Sequence, residues 1–173
     1  MKNFLAVIGG IVVGFFVLMI VVFAFNNMNT PGGISFSGSS TPATYTVKKM
    51  TATEIAQKID HSMEVTMPGA YRSELDLENE LYKVDMWNAF TSENIETLRS
   101  GIGLDRWDDV HKDLIDLCND LQGRFTDNGH PEITVVLSLV DPDDQETVFI
   151  TAARGIVGYD VVRGIDLLAD KED

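Results

Sequence analysis

Residues 105–140 read DRWDDVHKDLIDLCNDLQGRFTDNGHPEITVVLSLV, and this stretch decides the fold class. Trp107, Val110, Leu114, Leu117, Leu121 and Phe125 recur at intervals of three and four, so one stripe of a helix is apolar and must be buried. Asp105 is the expected N-cap, and Gly129 with Pro131 closes the helix. Ile133 to Val140 is apolar on both faces apart from Thr134 and Ser138, the pattern of a central strand that a helix covers on one side. A long amphipathic helix followed by such a strand belongs to the α+β class.

Toward the C-terminus, Asp141-Pro142-Asp143-Asp144 reads as a turn, Thr147 to Ala153 as the partner strand, and Arg154-Gly155 as a second turn. Ile156 to Val162 is then the third strand of a meander, and the charged tail from Asp170 should fray. Toward the N-terminus, Thr91 or Ser92 caps a short helix running to about Arg99, which Gly101 and Gly103 end. Tyr71 to Leu77 and Leu81 to Trp87 alternate in polarity and form a hairpin around Glu78-Asn79-Glu80, with helix as the competing reading. Thr51 and Glu54 have capping-box spacing, Ile55, Ala56, Ile59 and Met63 share one helical face, and Pro68-Gly69 stops that helix. Tyr45 to Met50 reads as a short strand. The expectation for residues 45–173 is an antiparallel sheet of about four to six strands, with helices packed on one face.

Further upstream the chain changes character. Phe4 to Phe25 reads FLAVIGGIVVGFFVLMIVVFAF, 22 residues without a charge or a proline. As a helix it reaches ~33 Å, enough for the ~30 Å hydrocarbon core, so residues 4–25 are expected to sit in membrane lipid as an anchor. Lys2 lies before this run and no charge lies between Asn26 and Thr46, which orients residues 1–3 to the cytoplasm and the domain outside. The alternative is a signal peptide cleaved after Val22-Phe23-Ala24 and a secreted product, but signal cores are shorter, about 7–15 apolar residues. Gly10 and Gly14 form a G-x-x-x-G pattern that would let two such helices approach as a homodimer. Residues 26–44, rich in Asn, Ser, Thr, Gly and Pro, are expected to form a flexible tether of about 25 Å reach.

Charge limits the partners. Of 13 basic residues all but Lys2 follow Thr44, and all 27 acidic ones do, so the domain carries a formal charge of −15. That field repels nucleic acid, because phosphate binding needs clustered Lys and Arg. Asp109, Asp113, Asp116 and Asp120 draw a negative stripe along the long helix, readable as a solvated face or as a docking surface for a basic protein or envelope component.

Catalytic signals are absent from the sequence. Cys118 and His111 lie two helical turns apart, ~10 Å along the axis, too far for proton transfer, and a lone cysteine forms no internal disulfide. His61, His111 and His130 lack zinc spacing. Asp141, Asp143, Asp144 and Glu146 gather carboxylates that could attract calcium, yet Gln145 and the missing glycine break the EF-hand order, and an acidic turn accounts for the same residues. No nucleophile elbow, phosphate loop or dinucleotide fingerprint occurs, so no cofactor is expected. The sequence is thus read as a membrane-anchored extracytoplasmic binding or accessory module. The alternatives are an anchored enzyme with an unrecognised carboxylate site, or a structural subunit assembling through its transmembrane helix.

Overall fold

A computed structural model describes residues 49–87 and 90–167. The anchor at 4–25 with Gly10 and Gly14, the tether, most of the strand read at 45–50 and the tail from Asp170 lie outside the described residues. Among the described residues, no helix is long and apolar enough to cross a membrane.

The first element is α1 (Ala52–Thr66), where Thr51 caps as its sequence requires. Its hydroxyl accepts from the Glu54 amide at 3.2 Å, and the Glu54 carboxylate accepts from the Thr51 amide at 2.8 Å. Ile55, Ala56, Ile59 and Met63 are all buried. The helix stops at Met67, just before Pro68.

The hairpin reading holds, with β1 (Tyr71–Asp76) antiparallel to β2 (Leu81–Met86) and Tyr71 opposite Met86. Asp76 Oδ1 accepts from the amides of Glu78 and Asn79, which shapes the connecting turn. Next come α2 (Ser92–Arg99), capped by Thr91, and α3 (Leu104–Asp127). Asp105 is not the cap of α3. Gly103 takes that position at φ 84°, a left-handed backbone that glycine adopts without strain, so the helix begins earlier and Asp105 falls in its first turn. There its negative charge still faces the positive end of the helix dipole.

Four strands complete the sheet: β3 (Thr134–Val140), β4 (Val148–Ala153), β5 (Ile156–Asp160) and β6 (Ile165–Asp166). The spatial order is β1-β2-β3-β4-β5-β6, which places β3 centrally. Two expectations are corrected. The sheet is mixed and not purely antiparallel, because β2 and β3 run parallel, with Tyr82 beside Val135 and Val84 beside Leu137. The chain leaves β2 at one end, and α2 and α3 carry it back to the other before β3 begins, so both strands point the same way. The last expected strand also ends at Asp160, where a turn leads into β6.

Tyr82, Val84 and Met86 of β2 share one face with Val135, Leu137 and Leu139 of β3 and with Ile150 and Ala152 of β4. All of these join the buried stripe of α3 and the apolar face of α1 in one core. Helix α3 lies against β3, β4 and β5, and α1 lies against β1 and α3. The other face carries Lys83, Asp85, Ser138 and Thr151; there Arg72 pairs with Asp85 at 2.9 Å, and Ser138 bonds Thr151 at 3.1 Å.

Candidate functional site

The 24-residue helix α3 displays the acidic stripe, and burial follows from its period. The side buried against the sheet runs through Trp107, Leu114, Leu121 and Phe125; Asp109 and Asp116 fall on the opposite side and are exposed. Asp113 and Asp120 sit at the boundary and are half-buried. Two carboxylates of the helix have cations: Asp120 accepts from Arg124 at 3.2 Å, and Asp108 pairs with Arg163. Among the described residues, Asp109, Asp113 and Asp116 have no ion pair.

Asp113 is the least compensated of them. Its Oδ2 is buried without a hydrogen-bond partner. Burial raises its pKa first, and the neighbouring charges of Asp109 and Asp116 raise it further against the opposing Lys112. The stripe is therefore not evenly solvated: Asp113 and Asp120 are drawn partly into the protein, and Asp113 has an oxygen buried without a partner.

Two polar hubs, one buried and one half-buried, escape sequence reading. Asp160 has no exposed surface and accepts from Trp107 Nε1 at 3.1 and 3.2 Å, His111 Nε2 at 2.6 Å, and the amides of Val162 and Arg163 at 2.7 and 3.1 Å. Burial pushes this carboxyl up, but the donors outweigh it, and its pKa lies below the ordinary value. The arrangement orients His111 through one nitrogen and ties α3 to the turn after β5. Asp60 is the second hub, where Oδ1 accepts from Ser73 and Tyr82 hydroxyls, both at 2.6 Å, while its carbonyl accepts from Tyr71 at 2.7 Å. Burial drives the Tyr82 phenol well above its usual range, so it stays a donor. Neither hub has a signal in linear spacing, since the partners of Asp160 lie 49 and 53 residues away.

The acidic turn spends its oxygens locally. Asp141 accepts from the Asp143 amide at 2.9 Å and from the Ser92 hydroxyl, and Asp144 accepts from the Glu146 and Thr147 amides, both at 2.9 Å. These bonds build the turn and pin it to α2. Among the described residues, no three His, Cys, Asp or Glu side chains are arranged to hold a metal ion.

Cys118 is buried beneath the sheet, its Sγ 3.5 Å from the Val135 carbonyl, and burial raises its pKa. His61 is exposed on α1, and His130 lies in the loop after α3 beside Glu132 and the Met50 carbonyl. The structure thus keeps His111 and Cys118 in separate contacts, as their spacing requires.

A groove of about 700 Å³ opens between α1 and the end of α3, lined among others by Met50, Ile55, Lys58, Arg124 and Asp127. It mixes both signs of charge, and its polar groups serve the fold. Glu54 closes the capping box, Arg124 holds Asp120, and Asn128 accepts from the Met50 amide. The α3 face is therefore the surface with the clearest chemical bias. No protein-family model, curated protein or solved structure matches the chain.

Proposed function

We propose that this chain is a single-pass membrane protein that holds an acidic α+β module outside the bilayer and uses it to bind a protein or envelope component bearing basic groups. The observation that carries the reading is Asp113, whose Oδ2 is buried without a hydrogen-bond partner between Asp109 and Asp116, on a face where these three carboxylates outnumber the neighbouring Lys112. A basic side chain from a partner would supply the missing counter-charge. Membrane attachment is supported by the uncharged run of residues 4–25, and the outward orientation by Lys2 ahead of it.

Crosslinking tests the binding role with three proteins: the wild type, a fragment of residues 45–173, and a chimera with a foreign anchor. The same partner should appear with all three. Asp109→Lys combined with Asp116→Lys should abolish that crosslink, and a full-strength crosslink from the charge-reversed protein would refute docking on this face. Orientation is tested separately. An impermeant thiol reagent applied to intact cells under denaturing conditions that leave the bilayer sealed should reach Cys118 only if the module is outside.

A further inference from the structure

We propose that the outer edge of β1 pairs antiparallel with the same edge of a second copy of this chain, joining two sheets into one across a two-fold axis at Ser73. Strand β1 ends the sheet, and among the described residues no strand lies beyond it. It is the longer of the two edges, six residues against two in β6, and its pairing with β2 runs without a bulge. Such an edge is a template for a further strand unless proline, irregularity or repelling charge blocks it.

The hydrogen-bond pattern identifies which backbone groups face that edge. The Trp87 amide donates to the Ala70 carbonyl at 2.9 Å, in the register that sets Tyr71 opposite Met86. On the other side of β2, the Glu80 carbonyl accepts from the Thr134 amide at 2.7 Å. Bonding alternates along an antiparallel pair, so Arg72, Glu74 and Asp76 bond inward to β2, and the amides and carbonyls of Tyr71, Ser73 and Leu75 point to the open edge. A two-fold contact is self-complementary, so these three residues must meet the same three of the second copy.

Charge selects the register. With Ser73 opposite Ser73, Tyr71 faces Leu75 and Arg72 faces Glu74, each twice by symmetry, which gives about six backbone hydrogen bonds and two opposite-charge pairs. A slip that sets Ser73 against Tyr71 puts Arg72 opposite Arg72, and one that sets it against Leu75 puts Glu74 opposite Glu74. Both charged side chains are exposed, on the face away from the helices. Arg72 engages Asp85 through Nε, which leaves its terminal nitrogens for the second copy's Glu74. Glu74 itself has no ion pair among the described residues, although Lys83 lies across from it in β2. Tyr71 and Leu75 are half-buried against the core and would cover one another at the seam. The other acids of the hairpin stay apart, because Asp76 falls opposite Ala70 and the turn with Glu78 and Glu80 lies beyond it. On the helix side, Asp60 is bonded to the Ser73 and Tyr82 hydroxyls, and Glu64 is exposed beside Tyr71, where salt screens its repulsion.

Disulfide crosslinking of the full chain in vesicles tests the seam. The two thiols of Ser73→Cys would meet with Cα atoms about 5.5 Å apart, within disulfide range, whereas those of Glu78→Cys would lie about 30 Å apart. Native Cys118 is buried and does not compete. Mild oxidation should give a covalent dimer several-fold faster from Ser73→Cys than from Glu78→Cys. Adding Glu74→Arg to Ser73→Cys should slow it several-fold, and mixing that protein with one carrying Ser73→Cys and Arg72→Glu should restore a crosslink between the two different copies. Arg72→Cys mixed with Glu74→Cys reads the same register without touching Ser73, since those positions would face each other at about 4.5 Å, and the mixed disulfide should form faster than either homodimer. Equal rates from Ser73→Cys and Glu78→Cys, the result expected of a dimer held only through residues 4–25, would overturn the proposal. So would a Ser73→Cys crosslink indifferent to Glu74→Arg, or a mixed disulfide no faster than the homodimers.

Discussion

Asp160 concentrates more of the tertiary structure in one side chain than any other acidic group described. Trp107, His111 and two amides of the following turn converge on it, so removal of the carboxylate strands several buried donors together. Asp160→Asn keeps the shape but sets an NH₂ group against donors, and should cost about 3 kcal/mol in urea denaturation. The native pKa is depressed, so the carboxylate's contribution is complete above the unfolded range near pH 4 and is lost as pH falls through the lower native value. The wild type should therefore lose stability more steeply than the variant below about pH 4. Asp113 has the opposite sign. Its native pKa is raised, so its penalty is absent below the unfolded value and present once pH exceeds the native one. Asp113→Asn should stabilise the domain by about 0.5 kcal/mol at neutral pH, from two relieved like-charge pairs at helical spacing, and the gain should vanish in acid. Thermal melts at two pH values check both the size and the direction. The acidic stripe itself was readable from spacing in the sequence, but the burial of one of its members and the whole Asp160 hub depend on elements that meet only in the folded chain.

The local elements follow their residues closely. Thr51 with Glu54, Thr91 with Asn94, and the α3 stripe ending before Gly129 all act as helix signals because capping and periodicity concern neighbours only a few positions apart. The cap of α3 differs from the expected Asp105 because Gly103, read only as the end of the preceding helix, takes a left-handed backbone that lets α3 begin two residues earlier. Arg154-Gly155 shows what a tight turn demands. The two residues join β4 to β5 with φ values of 52° and 76°, and a Cβ on Gly155 would come within 3.2 Å of Asn119 Oδ1. Gly155→Ala should cost about 1–2 kcal/mol through positive-φ strain and this contact. Arg154→Gly should be close to neutral by comparison, since relief of its positive φ is offset by loss of the Arg154 Nη2 bond to Thr134 Oγ1 at 3.0 Å. Chemical denaturation of both single variants distinguishes strain at position 155 from a general weakness of the turn. The short strand β6 had no such local signature, because two residues of pairing are too few to leave a period.

At the level of the whole molecule, α1, both halves of the sheet and α3 contribute to one buried cluster, so no described part has a core of its own. The domain should unfold in a single cooperative step. Cys118 reactivity and Trp107 fluorescence, probes within that core, should give coincident urea transitions, and a thiol transition at clearly lower urea would reveal an independently opening unit. The amino-acid sequence by itself determined the α+β class, the hairpin, the helices, the acidic balance and the uncharged run of residues 4–25, since each follows from composition or from contacts between near neighbours. Only the tertiary structure decided that β3 lies parallel to β2, that Asp160 is a buried acceptor, and that the acidic turn is pinned to the start of α2 through Ser92. Strand direction depends on where a two-helix crossover returns the chain. A buried hub depends on donors some 50 residues apart reaching one point. A pattern of period two or 3.6 encodes which face of an element is apolar, and carries nothing about which distant element that face will meet.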